Sequence, residues 1–446
     1  MGDPAVAIVV VSSPFEAGGD RAKPALAQAA EKLRAAGLKV VAASDVVWDV
    51  ADASRITRAW SGSQIDLLVI VHASWVEDSL QLQLQREAQA PVMLWSLPYP
   101  ETYALASVKH FASVARRTHL PFRWGEGNVD EPEFAAQVAD FARTAAVARR
   151  FRHARVALFT PRTAWRMFGP MDMSYDEWDL GSSLGITLLH LDLEELIAEA
   201  NKQDDKAAQA ELARHAPAYG KIQAAGERML YSSKMYLACK AMIEKYGLDA
   251  AAAACYPTHF GLVNLASSWL SGEGFHFDPE GDVGSAVLAN AMLAIRPTPV
   301  ALAEPAHLQR KTDSLLLRHE GSAPAALAAA PSETYIIDLG EQKGTLIEFP
   351  LRKAETVTAV GMAGRDGKYD LYMGKLRSLG IPASEWESLG RGFLADVTAK
   401  GGGEKFLDQM FETGMDHHML LQEGDQTAQL ADLADLWGVG VVRIAE

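Results

Sequence analysis

The segment FHFDPEGDVGSAVLANAML places Glu280 and Asp282 directly before an apolar helix. Glu304 follows the strand-like run TPVALA, His319 ends SLLLRH and enters the turn EGSAP, and His417 and His418 stand side by side in GMDHHMLLQ. Each has a plain structural explanation when taken alone. Asp282 can be a helix N-cap, Glu280 a solvated loop acid, Glu304 a surface acid at a strand end, and His319 a satisfied structural imidazole. The two adjacent histidines read as the start of a strand, where successive side chains point to opposite faces, so at most one of them faces a given site. Together the residues look different. Two carboxylates and one or two imidazoles at strand ends, with no cysteine cluster beside them, form an oxygen and nitrogen ligand set suited to Mn²⁺, Mg²⁺ or Co²⁺ more than to structural Zn²⁺. Such an ion can hold two adjacent hydroxyl or carbonyl oxygens of one small molecule.

The elements that must position these residues follow from the hydropathy pattern. AVAIVVV, IDLLVIVH and APVMLWSLP are continuous apolar runs separated by amphipathic helical stretches such as KPALAQAAEKLRAAG. Runs without alternation belong to strands covered on both faces, which predicts a parallel doubly wound sheet. Ligands of such sheets collect beyond the carboxyl ends of the strands, where the loops SSPFEAGGD and HASWVED fall. A second α/β layer begins at RVALFTPR and continues through GITLLHLD and long helices. Beyond residue 295 the character changes: TYIIDLG, GTLIEFPLR, ETVTAVGMAG and KYDLYMGK are short, β-rich and broken by Gly and charged turns, which predicts an antiparallel sheet or barrel. The expected architecture is two doubly wound α/β domains, 1–150 and 151–295, followed by a mainly antiparallel β-barrel domain, 296–446. Within it, GRGFLADVTAKGGGEKF reads as helix and turn, with Gly401 to Gly403 as a loop that would cover the site, and APAALAAAP reads as a loop or linker. The acidic, aromatic run MDMSYDEWD reads as a helix-start loop.

Composition narrows the function. A chain of 446 residues exceeds what one hydrophobic core usually supports. Its formal charge of −15 argues against nucleic acid, which is bound by concentrated Lys and Arg. Cys239 and Cys255 are the only two cysteines, both in apolar contexts, so a reducing compartment is expected and no disulfide framework. MGDPAVAIVVVSS reads as a strand rather than as a signal peptide or membrane span, and a cytoplasmic location is the expectation. The Gly-containing segments GEGNVDEPE and GGD match no dinucleotide or P-loop pattern.

The motif set resembles the L-fucose and L-arabinose isomerases: EGD before a helix, an acid after the next strand, HEGSAP from His319, and a terminal HH before a strand and a helix. The separation of Glu280 and Glu304 suits the fucose isomerase branch. IDLLVIVHASW with PVMLWSLP, and MYLACKAMIEKYGLDAAAAACYP, are further similar segments. The resemblance implies an aldose-ketose isomerase working on a monosaccharide through an ene-diolate. It implies a manganese-type ion held by Glu280, Glu304 and His418, with His319 as a further ligand or a substrate contact, and Glu280 and Glu304 as the groups that move protons. It also implies a homo-oligomer, trimer or hexamer, in which a neighbour's N-terminal domain completes each site, with Trp75 and Phe15 as sugar contacts. The sequence departs from relatives at Glu320, where many carry Cys, at Pro279, and in CYPTHF. These departures leave the ligand set whole and bear on the sugar. A substrate with an unusual C6 group, sulfonated or deoxy, is consistent with Arg162, Arg166 and Arg318 near the candidate loops. A metal-dependent aldolase or transaldolase on this scaffold, and a sugar-binding protein without activity, are the alternatives.

Overall fold

The computed structural model describes residues 2–160, 171–173, 175, 177–339, 344–365 and 367–445. The chain forms two compact units, Met1–Arg150 and Phe151–Glu446.

In the first unit five strands, β1 (Ala5–Val11), β2 (Lys39–Ala42), β3 (Leu67–His72), β4 (Val92–Ser96) and β5 (Phe122–Glu126), make one sheet in the order β2-β1-β3-β4-β5. Every pairing is parallel. All residues of β1, β3 and β4 are buried, which is why these strands read as unbroken apolar runs.

The second unit opens with a four-stranded parallel sheet, ordered β10-β9-β6-β7, from β6 (Arg155–Thr160), β7 (Thr187–Asp192), β9 (Ala250–Ala253) and β10 (Phe277–Asp278). The short β8 (Lys221–Ile222) joins a different sheet with β11 (Val300–Gln309), β12 (Ser314–His319), β13 (Tyr335–Asp338), β14 (Thr345–Pro350), β15 (Ala354–Arg365), β16 (Lys368–Ser378), β17 (Phe393–Ala399), β18 (Met419–Glu423) and β19 (Gly440–Arg443). Six of these strands pair antiparallel around a closed circuit, β16-β15-β18-β11-β12-β17 and back to β16. Closure removes the free edges that a flat sheet would expose. The architecture is thus parallel α/β sheets plus a C-terminal antiparallel barrel with added strands. One buried cluster runs through this unit, from Phe159, Cys239 and Phe277 of the parallel layer to Leu317, Phe393 and Leu421 of the barrel.

Three local readings needed correction. FLADVTA is the strand β17 rather than helix, because it lies buried between β12 and β16, where neighbours on both sides satisfy its backbone. Gly401 to Gly403 are no cover for the site: they start the helix Gly402–Thr413, and Asp313 accepts at its backbone carbonyl from the Gly403 N–H and at Oδ1 from the Glu404 N–H. APAALAAAP is a loop, as read, but not a free linker, since Ala323, Leu327 and Ala328 are part of the core. Among the described residues no helix is long and apolar enough to cross a membrane, and both cysteines are free and buried.

Candidate metal centre

The EGD motif sits between β10 and the helix Val283–Ile295. Asp278, the last residue of β10, accepts at Oδ1 from the backbone N–H groups of Glu280 and Asp282, each at 2.9 Å, which fixes the turn. Gly281 takes φ of 86°, the left-handed region that an L side chain resists, and a Cβ there would lie 3.2 Å from Ala254. Asp282 is the helix N-cap that the plain reading expected, accepting from the Ser285 N–H at 2.8 Å and from the Ser285 hydroxyl at 2.7 Å. Its Oδ2 also meets Nδ1 of His418 at 3.0 Å. A capping residue therefore orients an imidazole that is far away in sequence.

Glu304 lies within β11, opposite Arg318 of β12, immediately before a register shift between Pro305 and His307. The strand thus continues past Glu304 rather than ending there. His319 is the last residue of β12.

The structure brings these groups together. Oε1 of Glu280 is 3.7 Å from Nε2 of His319, and Oε2 is 3.5 Å from Nε2 of His418. Ligand atoms of Glu280, His319 and His418 all lie within 4.8 Å of one another, and so do those of Glu304, His417 and His418. His417 corrects the expectation that only one of the adjacent histidines faces the site. β18 begins at Met419, so His417 and His418 precede the strand and its alternation does not apply to them. Their rings stand 4.2 Å apart, and Nε2 of His417 is 3.8 Å from Oε2 of Glu304.

Both ring nitrogens of His319 and Nε2 of His418 are buried with no hydrogen-bond partner. Polar atoms in that state are expensive unless something fills the space between them. The donor set of Glu280, His319 and His418, three carboxylate and imidazole atoms from separate elements, is of the kind that can hold a divalent cation. The electrostatics agree. Burial pushes the His319 imidazole down to about 4, leaving it a neutral lone-pair donor at neutral pH. Burial opposes protonation of His418 as well, but Asp282 and Glu280 overrule it and raise this group to about 11, so the pocket is built to host a positive charge at that place. Burial works against the Glu280 charge, yet His418 and His319 hold its carboxyl below the usual range.

Further groups line the centre that sequence reasoning assigned elsewhere or passed over. Asp172 in the MDMSYDEWD run accepts at Oδ2 from the His417 backbone N–H at 2.9 Å and meets Nδ1 of the same ring at 2.7 Å. Burial opposes the Asp172 charge, but these two contacts keep its carboxyl below the ordinary range. The hydroxyl of Tyr175 donates to the Met362 carbonyl at 2.9 Å and approaches Asp416 at 3.4 Å. Burial, then the Glu280 and Glu304 carboxylates, push Glu320 up to about 7, with Arg318 pulling the other way. Beneath the turn, both nitrogens of His276 and Oδ2 of Asp278 are buried without a hydrogen-bond partner, Nε2 lying 3.9 Å from that oxygen. The density of acids and aromatics in the 171–179 run was the one available signal for Asp172.

Arg318 is exposed on β12, while Arg162 and Arg166 lie outside the described residues. Phe15 and Trp75 belong to the first unit, in the loops after β1 and β3, where Phe15 is 93% exposed and Trp75 rests against the His110 ring.

The fold and the site define a class: an α/β and barrel scaffold carrying a carboxylate-imidazole cup competent for a divalent ion. No protein-family profile matches the chain. Two sulfoquinovose isomerases, from Priestia aryabhattai and Priestia megaterium, are each 20% identical to it over 409 residues, which cover 88% of this chain and 89% of theirs.

Proposed function

We propose that this chain is a divalent-metal-dependent aldose-ketose isomerase acting on a monosaccharide. The observation that carries the reading is the convergence of buried imidazole nitrogens of His319 and His418, which lack a hydrogen-bond partner, on the Glu280 carboxylate, with Glu304 in a second group that shares His418. Glu280, Glu304 and His418 would hold Mn²⁺, or Mg²⁺ or Co²⁺ in its place, with His319 as a fourth ligand or a sugar contact. When bound, the ion supplies Lewis acidity to two adjacent sugar oxygens.

The carboxylates do the proton work. One of Glu280 and Glu304 removes the C2 proton of the open-chain aldose and the ene-diolate takes it back at C1, a transfer that general-base catalysis accelerates by roughly a hundredfold to ten-thousandfold. His319, neutral because it is buried, offers a lone pair without adding charge. The buried turn held by Asp278 keeps Glu280 in place through the reaction.

The similarity to two sulfoquinovose isomerases, which extends over most of both chains, supports a hexose with a sulfonate at C6 as the substrate. In this reading Phe15 and Trp75 contact the sugar from a neighbouring copy in a trimer or hexamer, and the protein works in the cytoplasm. The test is metal analysis of the purified protein, followed by NMR of C2 deuterium exchange on 6-sulfonated, 6-deoxy and unmodified hexoses. Exchange with aldose-ketose conversion and without carbon-carbon cleavage is expected. Cleavage products would move the assignment to an aldolase, and sugar binding by metal-free, inactive protein would move it to a binder.

A further inference from the structure

Along β12 the side chains alternate between two faces. Leu317 joins the large core cluster, Leu316 packs with Leu394 and Trp386 on the opposite face, and Arg318 follows Leu316 while His319 follows Leu317. Glu304 is the direct neighbour of Arg318 across the β11–β12 ladder, so both project from one side of the sheet. From that side the Glu304 carboxylate comes to 3.8 Å from Nε2 of His417, which places Arg318 at the outer rim of the metal centre. Arg318 is exposed, and no hydrogen bond or ion pair joins its guanidinium to a described residue. Arg391 and Arg352 of the same barrel are, by contrast, committed to Glu348 and Glu423.

The guanidinium is nevertheless seated. Gly392, in the turn before β17, has φ of 94°, and a Cβ added there would lie 3.2 Å from one guanidinium nitrogen and 3.3 Å from Cζ, so the absent side chain lets the group rest against the backbone. Trp386 fixes that turn by donating from Nε1 to the Gly392 carbonyl at 3.0 Å. The field around it is acidic: the Glu280 and Glu304 carboxylates push Glu320 up, and Arg318 is the cation that pulls it down. A site walled by such acids repels an anionic substrate unless a fixed cation receives the charge.

We propose that Arg318 receives an anionic group at C6 of the sugar, a sulfonate, and so decides which hexose the site accepts. This rests on the isomerase reading. A hexose held by O1 and O2 at the inner groups carries C6 at its far end, towards the rim. The planar guanidinium offers two parallel N–H donors to two sulfonate oxygens. A single guanidinium among carboxylates suits a singly charged sulfonate better than a doubly charged phosphate.

The experiment compares full-length wild type with Arg318→Lys and Arg318→Gln, each with Mn²⁺ added. Titration calorimetry measures binding of three hexitols, 6-sulfonated, 6-deoxy and 6-phosphorylated, and turnover is followed on 6-sulfonated and 6-deoxy glucose. Wild type is expected to bind the sulfonated hexitol at least about tenfold more tightly than the 6-deoxy one. Arg318→Gln is expected to erase that preference and to raise KM for the sulfonated sugar by about tenfold to a hundredfold, with KM for the 6-deoxy sugar changed less than about threefold and bound Mn²⁺ unchanged. Arg318→Lys, which keeps the charge without the fork, is expected to fall between them. The proposal is overturned if wild type shows no preference for the sulfonated hexitol, if Arg318→Gln keeps the preference or weakens both hexitols alike, or if the phosphorylated hexitol binds wild type as tightly as the sulfonated one. Should wild type neither retain an ion nor convert any sugar, the isomerase reading fails by itself, and the hexitol preference still decides what Arg318 does.

Discussion

Asp282 with His418 and Asp172 with His417 are the same chemical pair placed in two environments. In the inner pair the aspartate is buried, caps a helix and is further bonded to Ser285, and its imidazole is 1% exposed. In the outer pair the aspartate bonds, among the described residues, the ring and backbone of His417, with both side chains partly open to water. The difference teaches that what an aspartate-backed imidazole is suited to depends on the cost of leaving its far nitrogen empty. Buried, that nitrogen demands a permanent occupant. Exposed, it can release and accept partners at each turnover.

The largest expected effect comes from breaking the inner pair at its ligand. His418→Gln should weaken Mn²⁺ binding by more than the roughly hundredfold that loss of a supporting partner costs, and turnover should fall to background. Calorimetric titration of metal into stripped protein reads this directly. Next comes the supporting carboxylate: Asp282→Asn keeps a helix cap yet should lose about 10- to 100-fold in ion affinity, whereas Asp172→Asn should lose none. Equal losses in the two variants would erase the distinction between the pairs.

A third imidazole sharpens the comparison by lacking a carboxylate. His72 in β3 is fully buried and its Nε2 meets the neutral Gln81 side chain at 2.9 Å. Burial pushes it down to about 4, the opposite direction to His418. Between about pH 4 and pH 6.5 the unfolded chain therefore binds the proton that the folded one refuses, so stability falls as pH drops through that window. The loss for the first unit should approach about 3 kcal/mol at the acid end, and His72→Gln should flatten it, as read by hydrogen exchange of β3 and β4 across that range. The smallest effect belongs to Glu320, crowded by the Glu280 and Glu304 carboxylates. Glu320→Gln should raise the melting temperature of metal-free protein by a degree or two, about 1 kcal/mol once solvent screening is allowed for. A lower melting temperature would show that its charge is compensated.

Much of this was legible in the chain. The buried strands of the parallel sheets announced themselves because burial on both faces removes polar alternation, as in AVAIVVV. The EGD turn, His319 and His418 were readable from their places at or beside element ends, and ligand atoms of Glu280, His319 and His418 lie within 4.8 Å of one another, while Glu304, inside β11, lies with His417 and His418. His417 was misjudged because strand alternation was extended to two residues that precede the strand that generates it. Asp172 could not be found from spacing, since its partner lies across the fold and only tertiary packing joins them. FLADVTA was misread because a strand paired on both sides shows no period that separates it from a buried helix.

The irregularity after Glu304 has an evolutionary consequence. Residues 300–303 of β11 pair with β18, and residues 304–309 pair with β12. Because the ladder breaks register between Pro305 and His307, the outer hairpin is mechanically uncoupled from the half that holds the acid. Insertions or deletions at the hairpin tip can be absorbed beyond that break without shifting Glu304 by one position and turning it to the opposite face.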